Sequence, residues 1–193
     1  MVEYVKNIEI VEVLPCITTP GYIRFIAKAD RRLDELIPII CLMFPPGRVT
    51  YLKSENKLTL KVWNRLVTLH SDGTIAVTNT KDLEEAKEIL NRIKKIIFEA
   101  YDEYLRKGKP SEEEISRISR ISWLDIYQHL PKLNCGKCGY QVCSAFASSL
   151  LNGDVKLSAC FPLKEPQYQQ NLRKLKQILG ERLLKSLGWD EYC

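Results

Sequence analysis

Leu130-Pro-Lys-Leu-Asn-Cys-Gly-Lys-Cys-Gly-Tyr-Gln-Val-Cys-Ser-Ala-Phe-Ala147, continued by Ala159-Cys-Phe-Pro162, places Cys135, Cys138, Cys143 and Cys160 in the spacing C-x2-C-x4-C-x16-C. Four thiolates from one segment are enough to hold one iron–sulfide cubane. Zinc also accepts four thiolates, and C-x2-C knuckles bind it often. Zinc ribbons usually pair one such knuckle with another. Here the third and fourth cysteines are single residues at uneven spacing. Spacing alone leaves both metals open.

The residues around the cysteines set local expectations. Asn134-Cys-Gly-Lys-Cys-Gly139 is a tight loop with two glycines, and glycine lets a backbone approach closely and aim N–H groups at a bound anion. From Gln141 the chain is predicted to turn helical, with Asn152-Gly153 as its stop. Cys143 then falls in the first helical turn, at the positive end of the helix dipole. Lys132, Lys137 and Lys156 add positive charge nearby, and Phe146, Leu150, Phe161 and Leu163 are candidates for an apolar wall that limits water. Four cysteines saturate such a site. Saturation leaves no open position for a substrate, so the chain is not expected to be an enzyme in its own right.

Upstream of the loop, Ser111-Glu-Glu-Glu114 and Ser122-Trp-Leu-Asp125 have the form of capping boxes. They predict short helices over about 112–120 and 123–130, with Pro131 ending the second. Downstream, Leu172, Leu175, Ile178, Leu179, Leu183 and Leu187 share one face of a helix from near Pro166, broken at Gly180.

Leu83, Ala86, Ile89, Leu90, Ile93, Ile96, Ile97, Ala100, Tyr101 and Tyr104 recur at steps of three and four. They predict a helix over 81–106 whose stripe must lie on something apolar. Before it, Val2–Val13, Tyr22–Ala29, Val49–Lys53, Leu58–Trp63, Leu66–His70 and Ile75–Thr78 read as strands, with Asp72-Gly73 suited to a tight hairpin. Leu33–Phe44 reads as a buried helix ended by Pro45-Pro46-Gly47. The expected fold class is α+β. Residues 1–106 would form an antiparallel sheet backed by the long helix, a scaffold or docking domain. Residues 111–193 would form a small, mostly helical cluster-binding domain, with Lys107-Gly-Lys-Pro110 as linker.

Composition agrees with a globular protein. Of 193 residues, 45% are apolar and 27% charged. The net charge of +5 is spread along the chain and does not by itself argue for nucleic acid. The N-terminus lacks the regions of a signal peptide, and no apolar run is long enough to span a bilayer. The expected location is cytoplasmic, with no membrane. In a reducing compartment, seven cysteines are better read as metal ligands or buried thiols than as disulfides. Cys41 reads as a small buried side chain, Cys193 as inert, and Cys16 as a loop thiol open to redox chemistry. His129 reads as a surface residue, His70 has no visible partner, and no nucleophile–base set stands out.

Residues about 122–165 resemble the iron–sulfur domain at the N-terminus of the large subunit of the corrinoid iron–sulfur protein, which serves the acetyl-CoA pathway of anaerobes. A similar segment occurs in the B subunit of the Rnf electron-transport complex. Leu130-Pro131, Asn134-Cys135-Gly136, Cys138-Gly139, Cys143, Phe146-Ala147, Gly153 and Cys160 carry the likeness. It implies one 4Fe–4S cluster on Cys135, Cys138, Cys143 and Cys160. It implies one-electron transfer in anaerobic metabolism, with a corrinoid protein or a ferredoxin-dependent enzyme as redox partner. One departure is Phe161, which stands before Pro162 where the family has proline directly after the last cysteine. Residues 1–106 also resemble one half of the TATA-box-binding protein in element order. That fold opens an alternative, a redox-sensing regulator that binds nucleic acid through its sheet. A structural cluster or zinc holding an interaction module is a third reading. A basic concave sheet face with exposed aromatics would favour the regulator.

Overall fold

Alternating burial along six strands gives the chain its sheet. The computed structural model describes residues 4–189, the side chain of Ile118 excepted, so Cys193 and the start of the expected Val2–Val13 strand lie outside the described residues. The strands are β1 (Ile8–Pro15), β2 (Ile23–Ala29), β3 (Val49–Leu52), β4 (Lys57–Val62), β5 (Arg65–Leu69) and β6 (Thr74–Thr80). All pairs are antiparallel, in the order β1-β2-β6-β5-β4-β3. The class is therefore α+β. Phe25, Ala27, Leu58, Leu60, Val67, Leu69, Ile75 and Val77 point to one face and are all buried. Because side chains alternate across a strand, the register puts Arg24, Ile26, Lys28, Thr59, Lys61, Thr68, Thr74, Ala76 and Thr78 on the other.

The turns follow local chemistry. Trp63 and Asn64 both adopt positive φ, 52° and 58°, the backbone of a two-residue hairpin turn whose twist matches that of the flanking strands. In the Ser71–Thr74 turn, Asp72 accepts from Thr74 N at 2.9 Å and from Lys28 Nζ at 2.8 Å.

The long helix is α2 (Leu83–Lys107). Asp82 caps it, accepting from Glu85 N. Glu84 and Glu85 in its first turn and Arg106 and Lys107 in its last complement its dipole. Ala86, Ile89, Leu90, Ile93, Ile97 and Ala100 are buried along the predicted stripe, and the helix lies against β6. The Leu33–Phe44 helix is shorter than its apolar content suggests: α1 spans Ile37–Leu42. Pro38 explains its start, since a proline fits a helix in the first turn and not the interior.

The chain forms two compact units, Met1–Cys41 with Val49–Pro110, and Leu42–Arg48 with Ser111–Cys193. The second contains α3 (Glu112–Arg120), α4 (Trp123–Gln128), α5 (Cys143–Leu151) and α6 (Gln169–Ser186). Its core joins Leu42, Ile126, Leu130, Phe146, Ala147, Leu150, Leu163, Leu172, Leu175, Leu179 and Leu183. Gly180 has φ +72° and kinks α6 at the predicted place. Glu114 of α3 accepts from Arg182 Nη1 of α6 at 2.8 Å. The 42–48 segment is tied to the end of α5, where Arg48 donates to Asn152 O at 2.7 Å and pairs with Asp154 at 2.9 Å. Among the described residues, no helix is long and apolar enough to cross a membrane.

Candidate metal centre

The cysteine loop hangs between two fixed points, α4 and α5. Ser122 and Asp125 close a reciprocal capping box at the start of α4. The Ser122 hydroxyl and N–H hold the Asp125 carboxyl below its ordinary range. Leu130, just beyond α4, is buried, and its carbonyl accepts from Asn171 Nδ2 of α6 at 3.4 Å. From there to Val142 the chain has no helix or strand.

Left-handed residues shape that span. Lys132 (φ 59°), Asn134 (47°), Gly136 (70°) and Gly139 (88°) all have positive φ. Gly139 N donates to Gly136 O at 3.0 Å, closing a turn around Lys137 and Cys138. A Cβ at Gly136 or Gly139 would meet nothing within 4 Å. These glycines are therefore needed for their backbone angle and not for space.

Cys143 is the first residue of α5, as its sequence position predicts. Val142, the cap residue, offers no side-chain acceptor. Asn134 supplies one instead: its Oδ1 accepts from Cys143 N at 2.9 Å. This contact satisfies a first-turn N–H that has no partner inside the helix. It also ties the first cysteine turn to the third cysteine. Sequence spacing gives no hint of it, because it depends on the left-handed backbone at Asn134.

Cys160 sits between short 3-10 turns at Leu157–Ala159 and Phe161–Lys164. Its burial is 94%, from a relative exposure of 6%, while Cys138 and Cys143 are half-buried and Cys135 is exposed. Burial pushes the Cys160 thiol up to about 11, partly offset by the Leu163 N–H. Negative charge on Cys138, Cys143 or Cys135 would raise it further. Among the described residues, no three His, Cys, Asp or Glu side chains stand in the arrangement of a single bound metal ion.

The apolar wall is smaller than expected. Phe146, Leu150 and Leu163 are buried, and Tyr140 meets Phe146 edge-on with centroids 5.9 Å apart. Phe161 is not part of the wall. It is 55% exposed, because the 3-10 turn that starts there buries its neighbours Pro162 and Leu163 instead.

The remaining singled-out residues lie apart. Cys16 belongs to the first unit. Its thiol is brought down to about 7, first by the Thr18 hydroxyl, whose Oγ1 lies 3.4 Å from the sulfur, and then by backbone N–H groups. Cys41 is buried and pushed up to about 11 by desolvation. His129 is half-buried at the end of α4, where its backbone N–H donates to Ile126 O.

Comparison with known proteins places this site in a family. The model described as "Putative Fe-S cluster" matches residues 130–162, a span that contains all four cysteines. The acetyl-CoA decarbonylase/synthase complex subunit gamma of Methanocaldococcus jannaschii is 42% identical over 61 residues, 32% of this chain and 12% of that protein. Subunit gamma 1 of Methanosarcina thermophila is 43% identical over 61 residues, 31% of this chain and 13% of that protein. An uncharacterised protein of Methanocaldococcus jannaschii is 49% identical over 55 residues, 28% of this chain and 25% of that protein. The chain thus spans between an eighth and a quarter of the length of these relatives. No solved structure matches. The likeness seen in the motif residues is shown for the cysteine segment: it matches this iron–sulfur cluster model and has relatives among these gamma subunits.

Proposed function

We propose that Cys135, Cys138, Cys143 and Cys160 hold one 4Fe–4S cluster, and that the chain carries single electrons in the carbon monoxide and acetyl-CoA metabolism of an anaerobe. The observation that carries this reading is the iron–sulfur family match over 130–162, which takes in all four cysteines. The acetyl-CoA setting rests on the gamma-subunit relatives; the cytoplasm as compartment and a corrinoid protein or ferredoxin-dependent enzyme as partner class belong to the proposal and rest on the motif resemblance.

The residues fit such a group. Four thiols are a soft donor set suited to iron–sulfur clusters. Bound there, a cluster would accept and release one electron. The chain's own residues do the rest. Gly136 and Gly139 fold the loop so that backbone N–H groups can face anionic sulfur. The α5 start brings the positive end of a helix dipole to Cys143. Phe146, Leu150 and Leu163 keep water from the buried Cys160 side. Four protein ligands leave no open coordination position, and so favour electron transfer over substrate chemistry.

The first unit serves in this reading as a docking scaffold with the half-fold of the TATA-box-binding protein. Its open sheet face mixes Arg24, Lys28 and Lys61 with Glu9, Glu12 and a row of threonines. No strand residue on that face is aromatic. Proteins that read single strands or bend duplexes rely on aromatic stacking or apolar wedges together with basic grooves. This face has no aromatic platform, and its basic residues are interspersed with Glu9 and Glu12, which weighs against the nucleic-acid alternative.

Anaerobic purification, iron and sulfide analysis, and EPR after dithionite test the proposal. The expected result is four irons and four sulfides per chain and a reversible spin-half signal. Cys135→Ser, Cys138→Ser, Cys143→Ser and Cys160→Ser should each lower iron content, while Cys16→Ser should not. Stoichiometric zinc without iron in anaerobic material would sink the reading.

A further inference from the structure

We propose that the exposed apolar side chains around the cysteine loop, fringed by lysines, form the docking surface for an acidic electron-transfer protein. This rests on the cluster assignment above.

The loop has apolar residues in the open where a core residue would be hidden. Leu133 is 49% exposed, Val142 45% and Phe161 55%. Val142 and Phe161 are the direct neighbours of Cys143 and Cys160, and Leu133 stands two residues before Cys135. These three exposed apolar residues therefore stand beside cysteines of the segment. The patch continues into α4. Leu133 follows Lys132, whose Nζ lies over the Tyr127 ring at 5.2 Å. Tyr127 packs on Trp123 with centroids 6.2 Å apart. Trp123 is 43% exposed and Leu124 45%. Single exposed apolar residues are ordinary, but a run of contacts linking an exposed tryptophan to a redox loop marks an interaction site. Tryptophan is also among the residues most often found to dominate binding energy.

Charge decides the occupant. Between Trp123 and Lys164 the lysines are Lys132, Lys137, Lys156 and Lys164, and the carboxylates are Asp125 and Asp154. Both carboxylates are engaged. Asp125 accepts from Ser122 at 2.6 Å and 2.8 Å, and Asp154 pairs with Arg48 at 2.9 Å. Asp125 stays ionised against the neutral Ser122, yet four lysines against two carboxylates leave this segment net positive by sequence. A partner with carboxylates around its own redox centre matches it in sign, and electrostatic steering raises association rates by about 10 to 1,000-fold. One electron passes from the reduced partner to this chain's cluster. No bond forms or breaks.

Stopped-flow reduction of the anaerobic, cluster-loaded full chain by a reduced acidic ferredoxin tests this, with reduction by neutral reduced flavin as a control. The ferredoxin rate should fall steeply with salt. Lys132→Glu with Lys164→Glu should lower it about tenfold and flatten the salt dependence, and Trp123→Ala should lower it with the salt slope kept. The flavin rate should change much less in each variant. A ferredoxin rate indifferent to salt and to the lysine changes would overturn the docking surface, as would faster transfer from a basic cytochrome. These outcomes are read on a loaded, reducible cluster. Failure to load iron and sulfide at all is the separate result that would remove the cluster assignment.

Discussion

Asn134 offers the sharpest test of how the cysteine loop is held. Its side chain accepts from Cys143 N at 2.9 Å, and its backbone sits at φ 47°. Two substitutions separate these roles. Asn134→Gly keeps the left-handed backbone at no steric cost and removes the acceptor. Losing a helix-start acceptor of this kind costs about 1 kcal/mol. Asn134→Ala loses the acceptor but keeps a Cβ in the left-handed region, as asparagine does, so against the parent it costs about the same 1 kcal/mol, whereas the glycine variant also sheds the Cβ strain of that region, about 1–2 kcal/mol, which offsets its loss. If iron leaves through local opening of the loop, loss to a chelator follows the open population. The alanine variant should then release iron about fivefold faster than the parent, and the glycine variant more slowly than the alanine variant. Loss of visible absorbance with excess chelator under nitrogen follows this directly. Equal rates for parent and alanine variant would show that the Asn134–Cys143 contact does not hold the loop. Equal rates for glycine and alanine would show that the left-handed angle is not enforced.

Phe146→Ala should destabilise the second unit by about 3–5 kcal/mol, because it empties a fully buried ring site and removes the edge contact to Tyr140. Phe161→Ala, at a 55% exposed ring, should cost far less in the same anaerobic urea titration. Cys16 should alkylate with a midpoint near pH 7, since its thiol is brought down to about 7. The sign follows: the depressed pKa favours the fold above the unfolded value of 9.0, and that contribution is lost as pH falls through about 7. Thr18→Val should move the midpoint upward in peptide-resolved mass spectrometry, and Cys41, raised to about 11 by burial, should stay unmodified in the native protein.

Much of the fold is legible because its elements obey one period each. The α2 stripe from Ala86 to Ala100 repeats at helical steps and is buried as such. Strands β4 to β6 alternate, and their inward residues are the sheet core. Leu33–Phe44 resists the same reading. Its apolar residues are buried, but Pro38 delays the helix to Ile37, so burial and helicity part company there. The Trp63-Asn64 turn also hides, since Asn64 takes positive φ readily but Trp63 gives no sign of the positive φ it adopts. In the site, cysteine spacing and the start of α5 are open to view. That Cys160 is the buried sulfur, and that Asn134 reaches Cys143, depends on packing and on left-handed angles that spacing does not encode.

Arg48 and its neighbours make the second unit discontinuous in sequence, which bears on when that unit can be completed during synthesis. Residues 42–48 leave the ribosome early, yet the Asn152 carbonyl and Asp154 carboxylate that Arg48 engages are made long after. Until then the guanidinium waits in water, and the first unit can fold around a loop with nothing yet to hold it. A fragment cut to residues 111–193 would meet the same vacancy permanently. It would carry all four cysteines and still lack the side chain that clasps the far end of their helix.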